Sequence, residues 1–101
     1  MSGQVDKAPQ LRHTPAGIPI TRFVLQHRSR QIEAGHPREV QCRILVMAAG
    51  EALAHRAEVL QVGEALRVEG FLSRSSHKGS EARLVLHAHK IENPPDDDRA
   101  V

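Results

Sequence analysis

Apolar residues recur at every second position in four separate stretches of this chain, a period that extended backbone produces and a helix does not. In the first, Ile20 to Arg30, Phe23, Leu25 and His27 fall on one side and Arg22, Val24, Gln26 and Arg28 on the other. In the second, Val40, Cys42, Ile44 and Val46 alternate with Gln41, Arg43, Leu45 and Met47, and the β-branched set is predicted to face inward, carrying Cys42 with it. The third sets Leu66, Val68, Gly70 and Leu72 against Arg67, Glu69, Phe71 and Ser73, with Gly70 marking a bend or bulge. The fourth runs from Arg83 to Glu92, with Leu84, Leu86 and Ala88 as its buried side and Val85, His87, His89 and Ile91 as the other. At 101 residues there is material for one core, not two.

What lies between these stretches narrows the architecture. Residues 48–60 are rich in Ala, Glu and Leu and predict one short helix with Leu53, Ala57 and Leu60 on its inner side. Residues 8–19 hold three prolines and a glycine, which predicts a loop; residues 1–7 precede it, with Val5 ending a strand. Ala34-Gly35-His36-Pro37 reads as the turn of an extended hairpin tip over residues 31–37, Val62 to Ala65 as a turn, and the polar run Ser73 to Ala82 as a hairpin loop. Residues 93–101, with two prolines and three consecutive aspartates, predict a disordered acidic tail after a domain spanning residues 1–92. Strands interrupted by one helix before the fourth match an all-β oligonucleotide-binding (OB) fold. That fold is a five-stranded barrel with a helix between strands three and four.

Charge sharpens the reading. Setting aside Asp96, Asp97, Asp98 and Arg99 removes three of the 12 acids and one of the 14 bases, leaving 13 bases against 9 acids in the folded part. Most of the bases are arginine, whose planar fork suits phosphate oxygens, so a polyanionic partner is expected. A lone cysteine cannot form an intramolecular disulfide and fits a reducing compartment. Neither an apolar run of the ~20 residues that span a bilayer nor a signal peptide is present, so a cytoplasmic protein is expected.

Basic side chains most often form only a solvated surface. Here position argues for more, because Arg22 and Arg28 share a strand face and Arg43 lies on the polar face of the next strand, as in a groove tracking a phosphate chain. With only two phenylalanines available to the core, Phe23 and Phe71 are assigned to packing rather than to base stacking. His87 and His89 on one strand do not make a metal site, since no third ligand has suitable spacing. No nucleophile with its base, phosphate-binding loop or carboxylate pair is recognisable, and an enzyme is not expected.

The run Ala16-Gly17-Ile18-Pro19-Ile20-Thr21-Arg22-Phe23-Val24-Leu25-Gln26-His27-Arg28-Ser29, then Gln31 to Gly35, Val68-Glu69-Gly70-Phe71-Leu72-Ser73 and Leu84 to Ala88, closely resembles the bacterial primosomal replication protein N (PriB) family over roughly residues 2–92. The resemblance implies a homodimeric OB protein that binds single-stranded DNA and assists reloading of the replicative helicase through the PriA helicase and DnaT. It matches the family's DNA-contacting basic positions to Arg28, Lys78 and Arg83, with Arg12 in the first loop. Ser76 stands where a further lysine is expected, and Arg74 and His77 can compensate. The candidate DNA-binding set is therefore Arg12, Arg22, Arg28, Arg43, Arg74, Lys78 and Arg83. His36 and Gln41 occupy positions where the family carries aromatic residues, so the implied binding leans on phosphates and is steeply salt-dependent. In the family, strand one begins several residues before the pair matched by Ser2-Gly3, and a truncated first strand is expected. A protein-interaction adaptor with little DNA affinity of its own is the alternative.

Overall fold

The computed structural model describes residues 1–75 and 83–93. They form five strands and one helix in the order β1 (Ser2–His13), β2 (Pro19–Glu33), β3 (His36–Ala49), α1 (Glu51–Glu58), β4 (Ala65–Ser75) and β5 (Arg83–Glu92). The strands close into a barrel in the order β1-β2-β3-β5-β4, sealed by antiparallel pairing of Ser2, Gly3 and Gln4 with Arg67, Leu66 and Ala65. The β3–β5 pair alone is parallel, because α1 and β4 intervene between the two strands and allow a crossover. This is the OB barrel the alternation predicts, with its helix between strands three and four.

The core consists of the inward members of every strand: Val5, Phe23, Leu25, Ile44, Val46, Leu66, Val68, Leu86, Ala88 and Ile91. Burying a side chain such as Phe23 or Leu25 contributes about 1.5–3 kcal/mol. Ala57, at the end of α1, and Leu60 just past it close the barrel with Leu53 beside them. One buried polar group is fully satisfied there, since Thr21 Oγ1 donates to the Ala54 carbonyl oxygen at 2.7 Å and ties α1 to β2.

The sequence expectations need correction at several points. β1 runs to His13 through the stretch expected to be loop. Pro9 is tolerated because the β1–β2 ladder slips register between Lys7 and Gln10, and because β1 pairs with β4 only at its first residues. The helix is shorter than residues 48–60: Ala48 and Ala49 stay in β3 opposite Thr21 and Ile20, and Gly50, at φ 99, turns the chain into α1.

The largest departure is a two-stranded arm. β2 and β3 remain paired out to Glu33 and His36, joined by a two-residue turn in which Ala34 (φ 52) and Gly35 (φ 79) are both left-handed. β3 meets β5 only at Leu45, Val46 and Met47, so the ribbon beyond Cys42 has no third strand behind it. Val40 and Cys42 therefore keep the predicted side of the strand yet are exposed, the correction to an inward Cys42. Leu72 and Leu84, expected in the core, are also half exposed on the β4–β5 hairpin. Val85, expected outside, is buried where it lies between Leu45 and Ser73.

Candidate nucleic-acid interface

Directly paired residues of neighbouring strands project to the same side of a sheet, so the registers define the outer surface of the barrel row by row. One row crosses four strands as Arg22, Met47, His87 and Phe71. The next is Val24, Leu45, Val85 and Ser73. Beyond it come Gln26 opposite Arg43, then Arg28 opposite Gln41 on the arm. Arg83 precedes Val85 by two residues, and Arg12, opposite Ile20, belongs to the same side because Ile20 precedes Arg22 by two.

Five of the seven candidate residues, Arg12, Arg22, Arg28, Arg43 and Arg83, are thus exposed on the outer side of the barrel, carried by β1, β2, β3 and β5. Arg74 pairs with Leu84 and points to the opposite side of the β4–β5 hairpin. Lys78 lies outside the described residues. On this outer side Val24, Leu45, Met47 and Val85 form apolar rows between the arginines, with strands about 4.8 Å apart and same-side residues about 6.7 Å apart along each strand. Among the described residues no carboxylate ion-pairs with Arg12, Arg22, Arg28 or Arg83. Their potential is directed outward, which attracts an anionic chain and screens with salt.

Two features of this face went unnoticed in the sequence. Asp6 Oδ2 forms an ion pair with Arg43 Nε at 3.2 Å, tying one of these cations to a carboxylate on β1. Phe71, assigned to the core, is 51% exposed. Its ring stacks on His87 with centroids 4.8 Å apart and planes 12° from parallel, and the His89 ring lies 5.2 Å away. The alternation had grouped Phe71 with Arg67, Glu69 and Ser73, so the strand period carried the right signal and the scarcity of phenylalanine overrode it. The β4–β5 register slips by one between Glu69 and Gly70, which leaves His89 as the extra residue of a bulge and brings it toward Phe71. His87 is held by a 2.6 Å hydrogen bond between its Nε2 and Ser73 Oγ.

Comparison with known proteins agrees with this geometry. A family model described as another single-strand binding protein family matches residues 1–90. The chain is 42% identical over 92 residues to the replication restart protein PriB of Erwinia tasmaniensis, covering 91% of this chain and 88% of that protein. It is 45% identical over 92 residues to the PriB of Photorhabdus laumondii, with the same coverage. Among solved structures, the protein PriB from Ralstonia solanacearum superposes with a TM-score of 0.77 at 28% identity, covering 93% of each chain.

Proposed function

Since the chain belongs to the single-strand binding protein family and, within it, to the replication restart PriB proteins, we propose that it is a cytoplasmic DNA-binding accessory protein of the primosome. It makes and breaks no covalent bond. It holds single-stranded DNA along the outer face of the barrel, stabilises the PriA helicase on DNA, recruits DnaT and acts as a homodimer. The proposed DNA-binding set is Arg12, Arg22, Arg28, Arg43, Lys78 and Arg83, and Arg74, which points to the opposite side of the β4–β5 hairpin, is left out of it. The observation that supports this reading is the outward, exposed placement of Arg12, Arg22, Arg28, Arg43 and Arg83 on successive strands of the barrel. Such an array neutralises phosphates and releases counterions without reading base edges, so sequence preference is slight.

Titration of the protein with labelled oligo(dT) at two salt concentrations tests it. The expected result is a complex at low salt whose log affinity falls linearly with log salt, by about 0.7 for each phosphate contact. The second reading, a protein-interaction adaptor with little DNA affinity, draws on the absence of Trp and Tyr from the chain. No complex at low salt would favour it and overturn the first.

The Asp6–Arg43 pair makes a finer prediction. The Asp6 carboxylate offsets part of the Arg43 charge that a phosphate would meet, and a pair whose arginine is exposed is worth about 0.2–1 kcal/mol. Asp6→Asn is expected to raise oligo(dT) affinity by roughly 2- to 5-fold at low salt, an upper bound that includes relief of carboxylate–phosphate repulsion. Weaker binding by the variant would show that the carboxylate orients Arg43 for DNA instead of competing for it.

A further inference from the structure

Half the phenylalanine content of this chain is spent on a ring in solvent. Phe71 is 51% exposed, and neither Trp nor Tyr is present to offer another large aromatic face. Packing does not require it there, since the inward positions of the same hairpin are filled by Val68 and Leu86. The ring is also ordered: it stacks nearly parallel on His87, which Ser73 anchors by a hydrogen bond, and the bulge brings His89 to its edge. Phe71 and His87 form a stacked pair, with the His89 ring tilted 54° to Phe71, and a ring already packed on a neighbour offers its aromatic surface at low entropic cost.

The surroundings indicate what this surface accepts. Phe71 stands on the outer side of the β4–β5 hairpin, the side that also carries Arg83 opposite Ser75, and its row continues round the barrel through His87 and Met47 to Arg22. Four residues of strand, or ~13 Å, separate Phe71 from the Ser75–Arg83 pair. A strand whose phosphates follow the arginines presents its bases to either side of that path, and a base has an aromatic face of its own.

We infer that Phe71, backed by His87, is a stacking platform for one nucleobase of the strand held by the arginine face. This rests on the DNA-binding reading above and deepens it by supplying an aromatic contact on β4–β5. It lies away from His36 and Gln41 on β3, where the family's aromatic residues are missing. Stacking is indifferent to base identity, and it adds affinity that salt does not remove.

The chain's lack of tryptophan permits a direct test. Phe71→Trp keeps a ring and introduces a single fluorophore, while Phe71→Leu keeps an apolar side chain without one. Binding is followed independently by anisotropy of labelled oligo(dT), and thermal melts establish that both variants fold. The expected result is quenching of the Phe71→Trp emission on saturation. Phe71→Leu is expected to lose roughly tenfold in affinity, with the slope of log affinity against log salt unchanged. Parental affinity in Phe71→Leu, or unquenched emission in a saturated Phe71→Trp complex, would overturn the platform alone and leave the surface to an apolar protein partner. If the parent itself fails to bind oligo(dT) at low salt, the DNA-binding reading fails and the platform falls with it.

Discussion

Replacing Arg22, Arg28 and Arg83 together by alanine is expected to lower affinity for oligo(dT) by roughly 100-fold at about 0.1 M salt and to flatten the salt dependence by about 2 log units per log unit. The magnitude follows from counterion release. Each phosphate contact to a single strand contributes about 0.7 to the slope, so at ~0.1 M each contributes about 0.7 log units of affinity, and three contribute roughly 2. These arginines suit the test because all three lie on the outer side of the barrel and because none is ion-paired among the described residues, so little folding stability rides on their charge. Arg74→Ala removes the same charge from the opposite side of the hairpin and separates position from total charge. A loss in the triple variant no larger than three times that of Arg74→Ala, in log units, would mean that net charge and not a shared face governs binding.

Gly70→Ala is expected to destabilise the barrel by about 3 kcal/mol or more, lowering the melting temperature by about 12–24 °C. A Cβ at Gly70 would lie 1.9 Å from the carbonyl oxygen of His87 and 2.8 Å from its carbonyl carbon, and both are backbone atoms that cannot swing aside. Relief requires β4 and β5 to separate at the bulge, where the register already slips. The pairing of Phe71 with His87 adjoins that point, so loss of stability is expected to be accompanied by weaker DNA binding in whatever fraction remains folded. Thermal unfolding followed by circular dichroism measures the first effect. A melting temperature within about 4 °C of the parent would show that the two strands are not held this closely in solution.

Much of the barrel was legible because a half-buried strand writes its two faces directly into the sequence. Phe23, Leu25, Ile44, Val46, Leu66 and Val68 were all assigned inward from alternation and are all buried. The same alternation set Arg22 and Arg28 together on β2 and Arg43 beside them on β3, as the register bears out. β1 was not legible, because Pro9 and the prolines just past its end signal breaks, and a strand with slipped register that is paired on one side only beyond Gln4 tolerates the one proline within it. Cys42, Val40, Leu72 and Leu84 were misplaced for a different reason. Alternation reports which side of a strand a residue takes, and whether anything packs on that side depends on where neighbouring strands stop.

The amino-acid sequence by itself determined the fold class, the inward set of each central strand and the presence of arginines on the polar faces of β2 and β3, because these follow from a two-residue period and local turn chemistry. Only the tertiary structure decided that the cations of four different strands stand on the outer side of the barrel, that Asp6 restrains Arg43, and that Phe71 faces solvent beside two histidines. Those outcomes depend on cross-strand register, on strand length and on one bulge, and each of these is set by pairing between segments far apart in the chain.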